Sequence, residues 1–142
     1  MFIDAQHLFS DSQALTVTAA STNLIDLKAT TTRLGVGEPM CVVISCEVAM
    51  GGTSPTMIAT LQSDDSSGFG SAATVVVSPT FSSFAAGAKY VLPIPPGTAT
   101  EQYIRLNYTM GGTSPTITVS AFLMPMNMVD NYASYADGFT IS

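Results

Sequence analysis

The sequence predicts an all-β domain: a jelly-roll or related Greek-key β-sandwich of about eight short strands with extended arms at both ends. Three observations lead there. Short runs rich in Val, Ile, Thr and Tyr recur between breaks rich in Gly, Pro and Ser. The clearest run alternates with period two, with Tyr103, Arg105, Asn107 and Thr109 on one side and Ile104, Leu106 and Tyr108 on the other. No segment sustains the 3.6-residue period of an amphipathic helix.

Along the chain, residues 1–13 (MFIDAQHLFSDSQ) lack a clean period and read as an N-terminal arm. Residues 14–18 and 23–27 read as strands, and LGVGEP at 34–39 as a turn. Residues 40–49 are the strongest core strand, and the near-continuous apolar run Val42, Val43, Ile44 predicts burial on both faces at its start. Residues 57–62, 72–77, 90–94, 103–109 and 117–123 complete the strand set, and Phe81 and Phe84 anchor the irregular stretch before 90. The sandwich domain is therefore expected at 14–123.

The heptapeptide MGGTSPT occurs twice, at residues 50–56 and 110–116. Each copy lies between two strand-like runs. The paired glycines supply positive φ and the proline opposes helix, so each copy reads as the tip of a β-hairpin.

Residues 124–142 (MPMNMVDNYASYADGFTIS) leave the strand rhythm and read as a C-terminal arm. Methionine and tyrosine suit adaptable contact surfaces. Candidate interface anchors are Phe2, Leu8 and Phe9 at one end, and Met124, Met126, Met128, Tyr132, Tyr135 and Phe139 at the other. The competing reading is that several of these complete the domain's own core.

Charged residues make up only 10% of the chain, so its solubility rests on Ser, Thr, Asn and Gln. Net charge is −6, and the four basic residues Lys28, Arg33, Lys89 and Arg105 are scattered. No basic stripe forms, which argues against nucleic acid and against an anionic membrane as partners. No apolar run spans a bilayer, and the opening residues carry no secretory signal, so synthesis in a cytoplasm is expected. Cys41 and Cys46, five apart in a strand, fall on opposite faces and are expected as free thiols.

Reactive constellations are weak. His7, Ser10 and Asp11 are neighbours in a terminal arm, without the separate scaffold positions a triad needs. One histidine and two opposed cysteines fall short of a zinc set. Asp64 and Asp65, in the loop SDDSSGFGS, offer oxygen ligands to a cation but lack EF-hand spacing. Asp26, Glu38, Glu47 and Glu101 show no pairing that marks a glycosidase. GFGS at 68–71 lacks the ending of a phosphate loop. No catalytic residue, metal or cofactor is expected, and a binding or structural module is the better reading.

Several segments resemble the Bbp16-type phage capsid cement proteins. The opening D-x-Q-x-x-F-S-D-x-Q-A pattern falls on Asp4, Gln6, Phe9, Ser10, Asp11, Gln13 and Ala14. S-T-N-x-I-D-L falls on Ser21, Thr22, Asn23, Ile25, Asp26 and Leu27. LGVGEPM at 34–40, the RLNY segment within YIRLNYTMGGT at 103–113 and VSAFL at 119–123 continue the likeness in register. The tail from Met124 departs from it. The resemblance implies a jelly-roll cement (decoration) protein on the outer surface of a tailed-phage head, assembled in the bacterial cytoplasm. It implies self-association, as a homodimer or alternatively a homotrimer, and clamping of adjacent major capsid protein subunits. The rival function is a receptor- or glycan-binding β-sandwich of a virion.

Overall fold

The computed structural model describes residues 8–26, 32–34, 40–95 and 98–125. These contain nine strands: β1 (Leu8–Leu15), β2 (Ala19–Ala20), β3 (Ile25–Asp26), β4 (Thr32–Leu34), β5 (Met40–Asp64), β6 (Ala73–Val77), β7 (Lys89–Pro93), β8 (Thr98–Thr100) and β9 (Tyr103–Pro125). The all-β class is as the sequence predicts. Among the described residues no helix is long and apolar enough to cross a membrane.

β5 and β9 pair antiparallel along almost their whole length, from Met40 opposite Pro125 to Asp64 opposite Tyr103. The first half of β5 and the second half of β9 are flanked by β7 and β1. The other halves are flanked by β6 on one side and by β2 and β3 on the other. β4 and β8 form a separate two-stranded ladder.

This ribbon is doubled over. Ser10 pairs in register with Ala121, yet its hydroxyl lies 2.8 Å from the hydroxyl of Tyr108, on the same strand as Ala121. A straight strand would separate positions 108 and 121 by roughly 40 Å, at ~3.3 Å per residue. The Asn23 N–H likewise donates to the Phe9 carbonyl at 2.9 Å, joining the edge of one half to the edge of the other. The two halves therefore face each other as layers over one core. That core takes Val42, Ile44 and Cys46 from before the bend in β5 and Met57, Ala59 and Leu61 from after it.

The bend is the repeat. The two MGGTSPT copies are not hairpin tips joining neighbouring runs, as the sequence suggested; they lie mid-strand and pair with each other. Gly51 faces Thr116, Thr53 faces Thr113 and Thr56 faces Gly111, an approximate two-fold centred on the threonine pair. Each copy thus meets its own likeness, as in an isologous contact. Gly52 (φ +112°) and Gly112 (φ +93°) adopt left-handed conformations, as do Ser54 and Ser114 (both φ +49°). A Cβ on Gly52 would lie 2.6 Å from the Ser114 carbonyl oxygen, and one on Gly112 would collide with that of Ser54. The turn chemistry was visible in the sequence; the bend reverses the strand out of its layer instead of within it.

Register shifts accompany the crossing. The buried set passes from even positions (Val42, Ile44, Cys46) to odd ones (Met57, Ala59, Leu61) in β5. In β9 it passes from Ile104, Leu106 and Tyr108 to Ile117, Val119 and Ala121. A one-residue slip exchanges the faces of a strand, so equal slips in both partners keep the ladder matched and the core continuous.

Burial on both faces at the start of β5 is observed: Cys41, Val42, Val43 and Ile44 are all buried. Cys41 and Val43 join Phe122 and Met124 in a second cluster on the outer face, with Leu8 and Val91 against it. Both cysteines are free thiols, Cys46 in the main core and Cys41 in this second cluster.

Candidate functional site

A cleft of about 620 Å³ opens where the edge of one layer meets the loop after β5. Ser21, Thr22 and Asn23 form one wall, Ser67 and Phe69 the other, and Arg105 of β9 lies between them.

The first wall is held by a chain of hydrogen bonds reaching the core. The Ser21 N–H donates to the Leu106 carbonyl at 2.7 Å, and the Leu106 N–H donates to the Ser21 hydroxyl at 3.1 Å. That hydroxyl donates onward to the Asn23 carbonyl at 2.7 Å. Gln13 braces the same wall: its Oε1 accepts the Thr22 N–H at 3.0 Å and its Nε2 donates to the Ala20 carbonyl at 3.0 Å. Gln13 Oε1 also accepts the Ser10 hydroxyl at 2.7 Å. The Ser10 proton being committed there, the buried Tyr108 hydroxyl donates to Ser10. Burial pushes the pKa of Tyr108 well above its ordinary value.

The second wall is a loop clamped by Asp64. Its carboxylate accepts the Ser66 N–H at 3.0 Å and the Ser71 N–H at 2.8 Å. These bonds, that from Ser71 foremost, hold its pKa below the usual carboxylate range. They also pin the segment that carries Phe69, a non-glycine residue at φ +53°. Asp65, beside it, is raised by its hydrogen bond to Asp64 and by that residue's charge. Carboxylate oxygens of Asp64, Asp65 and Glu101 come within 4.8 Å of one another. Asp64 already has two N–H partners, so its role in this arrangement is to close the loop.

Arg105 is fixed from two directions. Its Nε donates to Gln62 Oε1 at 3.0 Å, across the register pair that β5 and β9 make at those positions. Its guanidinium carbon stands 4.3 Å from the centre of the Phe69 ring, a cation–π contact. The two contacts together restrain the guanidinium before any partner arrives.

The candidate interface anchors fall in different places. Phe9 is fully buried in the main core and has no surface to offer. Met124 is buried in the second cluster, and Leu8 is half-buried against it. Residues 8–13, expected within the N-terminal arm, lie in β1. Phe2, Met126, Met128, Tyr132, Tyr135 and Phe139 lie outside the described residues, as do His7 and Glu38. Of the weak catalytic candidates, Ser10 is buried and engaged with Gln13 and Tyr108, while Asp11 is exposed. Asp26 accepts a hydrogen bond from Gln102 at 3.0 Å, and Glu47 is exposed.

The cleft itself was missed by reasoning from chemistry, because its residues are far apart in sequence and belong to no catalytic pattern. The available signal was the resemblance: Ser10, Gln13, Ser21, Thr22, Asn23 and Arg105 all belong to the segments that carried it. In the fold the three segments that carry these six residues converge on this one feature.

A family model described as Bbp16 matches residues 9–123. This chain belongs to the Bbp16 family. The match takes in β1 from Phe9 onward, both copies of the heptapeptide and every residue named in the cleft, and it agrees with the resemblance read from the sequence. No curated protein matches the chain. Among solved structures, the chain is similar to one described as the structure of infectious bursal disease virus Gx strain. The TM-score is 0.41 and the identity 12%, over 85% of this chain and 31% of that one, so the chain spans about a third of that protein's length.

Proposed function

We propose that this Bbp16-family protein is a structural virion component. It acts as cement on the outer surface of a tailed-phage head, where it self-associates and clamps adjacent major capsid protein subunits. The observation that carries this reading is the family match across nearly the whole described domain. The domain suits the role physically. Two layers share two continuous strands, so a pull on one layer is carried by covalent backbone into the other. A surface sparing in charge, on a chain that is 10% charged, can be covered by a neighbour with little desolvation cost.

The mechanism is bivalent grip. A symmetric oligomer, a dimer in preference to a trimer, presents the same patch to each neighbouring subunit. Contacts that are weak singly then hold through high effective concentration. Residues 1–7 and 126–142, rich in Phe, Met and Tyr, supply apolar anchors for these contacts. The protein works without catalysis, metal or cofactor, and assembles with the head in the bacterial cytoplasm.

Co-sedimentation with empty heads of the same phage tests this. The intact chain is expected to pellet with heads. A chain ending at Pro125, which keeps the whole of β9, is expected to pellet at least ten-fold less efficiently. Failure of the intact chain to bind overturns the cement reading; equal binding by the shortened chain removes only the C-terminal anchor.

A further inference from the structure

The Arg105 cleft has features that no part of the fold requires. The Nε of Arg105 is used by Gln62 and its face by Phe69. Among the described residues its two terminal Nη groups have no hydrogen-bond partner, although they carry four N–H donors. The side chains of Thr22, Asn23 and Ser67, which line the same cleft, make no hydrogen bond among the described residues either. The site thus combines an oriented cation, flanking donors and a volume of about 620 Å³ open to an incoming group.

We propose that this cleft seats the carboxylate of an Asp or Glu side chain from a protein partner. A guanidinium whose Nε is taken still presents its Nη pair end-on, which matches the two oxygens of a carboxylate. The hydroxyls and the Asn23 amide then supply further donors around those oxygens. The chain as a whole is acidic, with net charge −6. An acidic partner is therefore repelled in general and gains only where it places its carboxylate in this cleft, so specificity comes from the contrast. The brace behind each wall, Gln13 on one side and Asp64 on the other, keeps the seat organised before binding and lowers the cost of ordering it. That the partner is the major capsid protein rests on the function proposed above; the preference for a carboxylate does not.

The test is a titration of the full chain with a tetraglutamate peptide blocked at both ends, followed by NMR at the Arg105 Nε–H and the Phe69 ring. Saturable shifts at both are expected in the wild type; read at the Phe69 ring, binding is weakened at least ten-fold in R105Q and to an intermediate degree in R105K. Unchanged thermal melting of both variants separates loss of the seat from loss of the fold. Absent shifts, shifts that persist unchanged in R105Q, or saturation by sialyllactose but not by the peptide would each overturn the proposal, the last in favour of an acidic glycan. With heads, R105Q is expected to co-sediment at least five-fold less than wild type; equal sedimentation overturns the cleft as the capsid dock. If even wild type fails to sediment, the cement reading falls, and the peptide titration still judges the carboxylate seat by itself.

Discussion

Phe9 is the clearest case of a residue whose role turns on three-dimensional context. In the sequence it stands near the N-terminus beside Leu8 and suggests an apolar arm. In the fold it is fully buried among residues of both layers. Phe9→Ala is expected to cost about 3–5 kcal/mol in urea denaturation, as for a large aromatic removed from a core. A loss below 1 kcal/mol would return it to the surface. Cys41 and Tyr108 make a second prediction, in pH. Burial pushes the Cys41 thiol up to about 11 from 9.0, and it raises Tyr108 as well. Both groups keep their protons in the folded state at a pH where the unfolded chain has released them. Their stabilisation is complete below pH 9 and is lost as pH rises toward 11 for the thiol, and from about pH 10 upward for the phenol. C41A is expected to remove on the order of 2 kcal/mol of this alkaline loss, and Y108F to flatten the curve above pH 10. A wild-type curve that is flat between pH 9 and 11 would contradict the buried placement of both. At this scale the sequence was readable wherever period two held: Ile104, Leu106 and Tyr108 are buried while Arg105 and Asn107 are only half-buried. The hydrogen-bond chain from Tyr108 through Ser10 to Gln13 was not readable, because it joins residues almost a hundred positions apart.

At the scale of elements, the heptapeptide repeat decides the architecture. Its Gly-Gly and Pro chemistry correctly announced a sharp change of direction. Composition alone does not say which strand lies opposite, and local pairing is the default expectation for two runs flanking a glycine pair. Here the two copies choose each other, since only a matching slip in both strands keeps the apolar faces aligned. The repetition is therefore explained by pairing: two strands crossing at an approximate two-fold need the same small residues at the same places. G52A and G112A are each expected to destabilise by about 2 kcal/mol or more, since each adds a methyl at positive φ against the opposite backbone. G70A, where an added Cβ meets nothing within 4 Å, is expected to change stability by less than about 0.5 kcal/mol. Thermal or urea melts of the three variants check this. A tolerated alanine at both Gly52 and Gly112 would mean the strands do not cross there.

At the scale of the whole molecule, the resemblance in separated segments became a family match over 9–123. The fold gives three of those segments a common purpose, building and bracing the wall of Ser21, Thr22 and Asn23 beside Arg105. Low charge has a consequence for assembly. With 10% of residues charged and one oriented guanidinium in the proposed dock, head binding is expected to fall less than about three-fold between 50 and 300 mM salt. A steep decline in sedimentation over that range would point to a charge-driven complex instead. The central claim is that the protein joins neighbouring shell subunits, and imaging decorated heads by electron cryomicroscopy tests it most directly. The account predicts density for this domain lying across the boundaries between adjacent capsid subunits, with the Arg105 cleft turned toward one of them. Density confined to the middle of a single subunit, or heads left bare at saturating protein, would contradict it.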